Sequence, residues 1–584
     1  MKNLLLPLFL FISLLGKSQL SFIEVTDAGL DTLAGSEGIA VGDFNNDGWE
    51  DFYVSVPLLQ SSNRLCKNMG DGTFQEVALN AGVAVTEPSV ASTWGDINND
   101  GFLDLYVSTV NHNDHLFLNN GDETFEEITL SAGIYNNGNT KAVNMADVNN
   151  DGHLDIYLSN FLSENALFIN QGDNTFTNQI QQSGATDESF SMGNIFFDYD
   201  RDGDLDLYLT HDHLVPNILY QNNGEGVFTD VSQASGVNSI GYGMGVDVGD
   251  VDNDGWLDIY VTNLFQNVLF KNTGFGSFIN ISQASMTNDN GMGWGTTFFD
   301  FNKDGRVDIY VANESDFFSP HEPNVLYENI GNHFYQKTAT EQGISNTDNS
   351  YGVACLDYNL DGNIDLLVAN RDSGEYLQLF ENAEHAGNWI KVKLLGTESN
   401  RNGIGAKIEL VDDFGRIHLK EVSAGHGWAS QNSNILFFGL GDNEIDSAKI
   451  YWPSGITQAI SFENINTTFT VTEGLPPVEG IHFDFATTSS QNLTLQEKPP
   501  IRIFPNPAPE EFYIEIDTRK EAPFTLEIYD VLGQVLFQKK ASTHLGKQTL
   551  TINKNNLNLT NETTFLFINI NIGDQSWSKK ILSY

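Results

Sequence analysis

Read as apolar and polar positions, the chain is a succession of short alternating runs. "LYVS" at Leu105 and "IYVT" at Ile259 are rich in β-branched and aromatic residues. "HLFLNNGDETF" from His115 and "NVLFKNTGFGSF" from Asn267 carry an Asn-Gly or similar turn inside them. A period of two, cut by Gly, Asn and Asp, predicts short strands joined by tight turns. The runs also keep a fixed order. An acidic stretch such as "DFNNDGWED" from Asp43 precedes one strand, a variable loop and a second strand follow, and a segment such as "FEEITLSAGI" or "FTDVSQASGV" leads to the next acidic stretch.

The acidic stretch returns as "DINNDGFLD" at Asp96, "DVNNDGHLD" at Asp147 and "DYDRDGDLD" at Asp198. It returns again as "DVDNDGWLD" at Asp250, "DFNKDGRVD" at Asp300 and "DYNLDGNID" at Asp357. Successive starts lie 53, 51, 51, 52, 50 and 57 residues apart, a repeat and not an accident of composition. About four strands per unit, seven times over, predict an all-β chain whose first part is a seven-bladed β-propeller. "FIEVT" at Phe22 resembles the last strand of the other units and is placed to close the ring.

Numbered 1 to 9, the stretch has Asp at positions 1, 5 and 9 in all seven copies, Asn or Asp at 3, and Gly at 6. Position 7 is Trp49, Phe102, His153, Asp204, Trp256, Arg306 or Asn363, which share no side-chain chemistry. A calcium loop explains this: oxygens at 1, 3, 5 and 9 coordinate, position 7 offers its carbonyl, and Gly permits the sharp turn. A plain hairpin needs only the Asp-Gly pair. Two carboxylates about 4 Å apart repel by roughly 4 kcal/mol at an effective dielectric of 20, and a divalent cation removes the conflict. Oxygen donors alone favour Ca2+ over zinc or copper. Position 12 is Val or Leu, not the Glu of an EF-hand, so each loop joins two strands.

The candidate ligands are therefore Asp43, Asn45, Asp47, Trp49 and Asp51 in the first loop, and Asp96, Asn98, Asp100, Phe102 and Asp104 in the second. The third offers Asp147, Asn149, Asp151, His153 and Asp155; the fourth, Asp198, Asp200, Asp202, Asp204 and Asp206. The fifth offers Asp250, Asp252, Asp254, Trp256 and Asp258; the sixth, Asp300, Asn302, Asp304, Arg306 and Asp308; the seventh, Asp357, Asn359, Asp361, Asn363 and Asp365. Up to seven Ca2+ are expected.

Charge sharpens the picture. The 584 residues carry 78 acidic and 28 basic side chains, a formal charge of −50, which disfavours nucleic acid and anionic membrane as partners. "MKNLLLPLFLFISLLGKSQ" reads as a signal peptide with an apolar core too short to span a bilayer comfortably, and no further transmembrane segment is expected. Cys66 and Cys355 stand where other copies have Phe or Trp and read as core positions, not as a bridge. His211 and His213 flank Asp212 in "THDHLVPN", a weak metal candidate that reads better as a polar loop. The serines of "GHGWAS" and "WPSG" lie outside any GxSxG elbow, and no phosphate loop or dinucleotide fingerprint appears.

With these loops the chain resembles the FG-GAP or VCBS repeats of integrin α-subunit propellers, whose DxDxDGxxD hairpins bind Ca2+. Residues 386–474 resemble the ASPIC/UnbV domain of the cartilage acidic protein family, through "NGIGA" at Asn402, Ser430-Gln431, "FGLG" at Phe438 and "WPSG" at Trp452. Residues 499–584 hold nine basic and nine acidic side chains, so the whole net charge falls before them. They resemble a type A C-terminal sorting domain of type IX secretion, through Pro505 to Pro507, "IYDVLGQ" and a Lys before the last strand, without the usual Gly-x-Tyr. The resemblance implies a β-sandwich tail, recognition by the type IX machinery, and export from a Gram-negative bacterium to its surface or surroundings.

The expected domains are a signal peptide at 1–18, a propeller at 19–385, a β-rich ASPIC/UnbV domain at 386–474, a linker at 475–498 and the sorting domain at 499–584. The expected function is a calcium-stiffened binding or adhesion module for an extracellular protein or glycan, and not an enzyme. The alternative is an enzyme or accessory factor acting on extracellular polysaccharide. In an up-and-down blade the connections opposite the metal loops are those between the second and third strands. In the longest of them Phe317, Phe318 and His321 either form the partner surface or tuck against the next blade.

Overall fold

A computed structural model describes residues 21–481, apart from 31–32, 59–60, 289, 316–321 and 384–385, together with seven strands between 501 and 583. The expected signal peptide, Phe317, Phe318 and His321 lie outside the described residues. The chain divides into two compact units, Met1–Thr487 and Thr488–Tyr584.

Between Phe22 and Asn382 in the first unit, seven four-stranded antiparallel sheets are found among the described residues. Six take their strands in chain order, as in Ser89–Gly95, Asp104–Thr109, His115–Asn119 and Phe125–Glu127. The last joins Ser350–Leu356, Asp365–Asn370 and Gln378–Asn382, and Phe22–Glu24 completes it, with Phe22 opposite Asn382. The first strand of each sheet packs on the first strand of the next, and Ser350–Leu356 packs back on Ile39–Gly42, so the ring closes as a β-propeller.

Two local features permit this packing. Gly193, Gly245, Gly295 and Gly352 recur in the inner strands, where a Cβ would lie 2.6, 2.4, 2.3 and 2.2 Å from a backbone oxygen of the neighbouring sheet. The short segment after most fourth strands turns once as a helix, as at Ala78–Ala81 and Ser232–Ser235, and ends on a left-handed Gly. The alternating pattern gave no sign of these helical turns.

The sheets are tied edge to edge by asparagine. Each third strand ends on one: Asn68, Asn119, Asn170, Asn222, Asn272, Asn329 and Asn382. The side-chain amide of Asn170 donates to the carbonyl of Ile97 in the preceding sheet's acidic loop at 2.8 Å and to Leu154 of its own at 3.1 Å. The other six make the equivalent bond to the preceding sheet, and Asn68 reaches Tyr358 at 2.8 Å across the ring closure.

Residues 388–479 add two further four-stranded sheets. One holds Asn388–Leu395 between Leu436–Gly441 and, in parallel, Thr467–Thr472, and ends on Val478–Glu479 within the stretch expected as linker. The other is Ile417–Glu421, Lys407–Asp412, Ile445–Tyr451 and Thr457–Ile460. The loop between these sheets enters the middle of the ring. Gln431 pairs with Ala40, Ala424 with Met145 and Gly427 with Val246, all on first strands. The Gln431 side chain also accepts from the N–H of Trp94 at 2.7 Å, and Asn432 from that of Cys355 at 2.8 Å. Cys66 and Cys355 are buried free thiols.

The second unit is all strand in its described part. One sheet is Ile501–Phe504, Glu511–Thr518 and Gly546–Asn553; the other is Val535–Ser542, Pro523–Tyr529, Thr564–Ile572 and Gln575–Ser583.

Asn170→Ala leaves two buried carbonyls without their donor. It is expected to cost about 2–4 kcal/mol in urea denaturation, against less than about 0.5 for Thr177→Ala on the outer strand. Equal effects at the two positions would refute the tie.

Candidate metal centres

Each acidic stretch connects the first and second strands of its sheet and takes the same backbone path. Position 4 is left-handed in all seven, from Asn46 at φ 56° to Arg201 and Lys303 at 60°, and so is the Gly at position 6, from Gly305 at 80° to Gly203 at 101°. Asn tolerates the left-handed region, which explains its presence at position 4 in four copies.

Side-chain oxygens then organise the turn. In the second loop Asp96 accepts from the N–H of Asp100 at 3.0 Å and of Gly101 at 2.7 Å, and Asp100 accepts from Phe102 at 2.9 Å. Position 9 is fully engaged: Asp104 takes Ile97 N–H on one oxygen at 2.9 Å and Asn119 N–H on the other at 2.8 Å. Asp51, Asp155, Asp206, Asp258, Asp308 and Asp365 repeat both bonds. Position 9 is thus a backbone staple, whatever else it binds. At position 7, Trp49, Phe102, His153 and Trp256 lie against the glycine of their own sheet's outer hairpin, so the side chain there packs instead of standing free.

Two loops bring carboxylates closest together. Oxygens of Asp198, Asp200 and Asp206, and of Asp250, Asp252 and Asp254, lie within 4.8 Å of one another. Asp200 Oδ1 and Asp252 Oδ1 are buried and accept no hydrogen bond. A buried carboxylate oxygen without a donor is costly, and a hard cation beside it meets that need. In the other five loops Asn45, Asn98, Asn149, Asn302 and Asn359 take position 3, and the side-chain oxygen of each accepts the position 5 N–H at 3.1–3.2 Å. These donor sets are all oxygen and fit Ca2+ in kind.

The sequence did not reveal that residues 388–479 cover this face. Lys391 pairs with Asp357 and Lys407 with Asp198, both buried, and Arg201 of the fourth loop meets Glu409 at 2.5 Å. Asn402 accepts from the N–H of Asp96 at 2.6 Å, Gly441 donates to the carbonyl of Lys303 at 2.6 Å, and Lys393 and Lys420 lie near Asp43 and Asp300. Within the fifth loop Lys271 bridges Asp252 at 2.6 Å and Asp254 at 2.7 Å. The available signal was a set of lysines in a chain poor in them, placed in and beside strands that follow the repeats.

Burial and neighbouring carboxylates push Asp250 up to about 7; burial does the same to Asp96 and brings Asp147 to about 6. Burial holds the position 9 carboxyls well above their usual range. His211 and His213 do not share a partner: His211 meets Asp187 at 3.2 Å, whereas His213 meets Asp212 at 2.8 Å and stacks on Phe190.

Three parts of the chain match known families. Residues 396–476 match "ASPIC and UnbV", 502–583 match "Secretion system C-terminal sorting domain", and 58–107, 96–158 and 210–261 match "FG-GAP-like repeat". Cartilage acidic protein 1 of Xenopus tropicalis is 24% identical over 490 residues, 74% of this chain and 72% of that protein. The Mus musculus protein of that name is 24% identical over 531 residues, 80% of each chain. Among solved structures, an Agrocybe aegerita lectin that recognises non-reducing terminal N-acetylglucosamine is similar at TM-score 0.35 and 16% identity, over 58% of this chain and 87% of that one. The sorting domain marks export by type IX secretion to the cell surface or the extracellular space. No helix among the described residues is long and apolar enough to cross a membrane.

A carboxyl raised on folding binds more protons folded than unfolded between its two pKa values. Protein stripped of metal should therefore gain stability as pH falls from about 7 towards 5, through the raised values of Asp96, Asp147 and Asp250. Urea midpoints at pH 7.5 and 5.5 in chelator check this. A lower midpoint at the acid end would show that other groups dominate.

Proposed function

We propose that the chain is an exported binding module whose propeller is stiffened by Ca2+ in its acidic hairpin loops. The observation that carries the calcium reading is the pair of buried, unbonded oxygens on Asp200 and Asp252, each inside a cluster of three carboxylates. Asp198, Asp200, Asp202 and Asp206, with the carbonyl of Asp204, would hold the ion of the fourth loop; the other loops offer the corresponding five residues. The ion supplies charge compensation and cross-links the turn.

The carboxylates brought together are engaged by backbone N–H groups and by lysines of the covering sheets. That favours a binder over an enzyme. Because the loop face is covered, recognition falls to the opposite face, where the connections between second and third strands end. The partner is an extracellular macromolecule. Attachment at the surface or release follows from the sorting domain.

Calcium is expected to raise the melting temperature of the mature protein. Extracellular sites often bind at about 10⁻⁴ to 10⁻³ M, and at ten times the dissociation constant each adds roughly 1.4 kcal/mol. Asp200→Ala should lower the bound calcium counted by mass spectrometry by one ion. Lys271→Gln should tighten the fifth loop by removing its internal cation. A melting curve indifferent to chelator would end the calcium reading.

Deleting residues 499–584 should leave the chain inside the outer membrane, checked by protease accessibility on whole cells. Normal display of the shortened chain would refute the role given to the tail.

A further inference from the structure

The face opposite the acidic loops carries a feature that the ring itself does not require. Just after the second strand of successive sheets, one residue turns left-handed and donates its N–H to the loop that enters the next sheet. Asn111, φ 59°, donates to Gly138 at 2.9 Å, and Leu162, φ 60°, to Ser189 at 2.7 Å. Leu214, φ 62°, donates to Gly241 at 2.8 Å, and Phe265, φ 80°, to Gly291 at 2.9 Å. The bond uses only backbone. Asn111 shows the residue that suits such a turn; Leu and Phe do not.

Nor does burial explain the choice. Leu162 is 61% exposed, Leu214 56% and Phe265 51%, and Ile240 beside them is 66% exposed. Beside them in the same connections are the half-buried rings of Phe161 and Phe190, 5.4 Å apart, and the partly buried Tyr242 and Leu264. Three neighbouring sheets therefore accept both backbone strain and apolar exposure at one equivalent position. Such a patch on an exported chain marks a contact surface.

The surrounding charge selects the occupant. Glu164, Asp187, Glu188 and Asp212 lie in the loops that carry or meet these residues. Asp187 and Asp212 are mostly buried and pair with His211 and His213, Glu188 is exposed, Glu164 is half-buried, and the half-buried Lys141 lies over Phe161 at 5.8 Å. Glu164 and Glu188, on a chain of net charge −50, oppose an anionic lipid surface and favour a basic partner. Aliphatic side chains outnumber aromatic ones in the exposed set, which fits apolar peptide side chains better than the flat face of a sugar.

We propose that Leu162, Leu214, Ile240 and Phe265 form a crescent across the third, fourth and fifth sheets that binds a polypeptide segment whose apolar side chains alternate with lysine or arginine. The proposal rests on the binding-module reading and names the face and partner chemistry for it.

The test uses the full mature protein in calcium and a fluorescein-labelled peptide of alternating Leu and Lys, read by anisotropy. A Leu-Glu peptide is the control. The variant Leu162→Asn with Leu214→Asn and Phe265→Asn follows the residue found at Asn111. Wild type should bind the Leu-Lys peptide and not the control. The variant should bind at least about tenfold more weakly, with an unchanged or higher melting temperature. Equal binding by the variant, no binding by wild type, or a variant that melts several degrees lower would overturn the proposal. Variant-sensitive binding to phosphatidylserine vesicles, or a wild-type dimer that the variant loses, would also overturn it, in favour of a membrane or a second copy. Peptide binding by a protein indifferent to chelator would refute the calcium reading alone.

Discussion

The structure depends on a ring of hydrogen bonds that passes through the ninth residue of every acidic loop. That Asp holds the N–H of the loop's second residue and the N–H of the asparagine ending the third strand, as Asp155 holds Val148 and Asn170. The asparagine amide then donates to the second residue of the preceding loop, as Asn170 does to Ile97. Each link fixes both the curvature of one hairpin and its distance from its neighbour. The carboxylates are buried and accept main-chain donors that would otherwise be orphaned, so the acidity of the chain is first a way of closing hairpins. These bonds shape the turn whether or not an ion enters it.

Collecting so many carboxylates on one face creates a charge that the propeller cannot dissipate. The covering sheets answer it with side chains placed one by one: Lys391 at Asp357, Lys407 at Asp198, and Lys393 and Lys420 near Asp43 and Asp300. A lysine on one oxygen of the first aspartate and a cation on the other can share that carboxylate. The two would also repel each other, so any filling of the loops would be coupled to docking of the cover through the same residues. The fifth loop differs, because Lys271 belongs to its own sheet and spans Asp252 and Asp254 directly.

The repeat, the strands and the acidic loops were legible because period, turn residues and ligand spacing are local properties. The closing strand at Phe22 was legible for the same reason. The asparagine tie was written as plainly, in "FLN", "FIN", "YQN", "FKN" and "FEN", but its bonds reach the preceding sheet, and no local rule pairs Asn170 with Ile97. The cover was hidden more deeply. "NGIGA" and Ser430-Gln431 were recognisable as motifs, yet Asn402 serves to hold the N–H of Asp96 and Gln431 the N–H of Trp94. A motif whose partners lie more than three hundred residues away shows only that something is held. The packing of the position 7 side chain and the backbone bonds of position 9 were not legible for one reason: a loop read alone omits the hairpin and strand packed against it.

The loop that enters the ring gives the two faces unequal duties. It pairs with first strands at Ala40, Met145 and Val246 and buries Trp428 and His426 among them. Burial depresses the His426 imidazole to about 3, so it stays neutral at any ordinary pH and acts as packing, with its ring nitrogen accepting from the N–H of Asn432 at 3.2 Å. A channel filled in this way is no passage for a ligand, and the face beneath the cover is committed to acidic loops and the lysines that meet them. Variation on that side is constrained by contacts with two partners at once. On the far side, among the described residues, the connections after the second strands are held to the next sheet by backbone bonds. A side chain there can change without breaking the ring, as Asn111, Leu162, Leu214 and Phe265 differ on the same backbone turn.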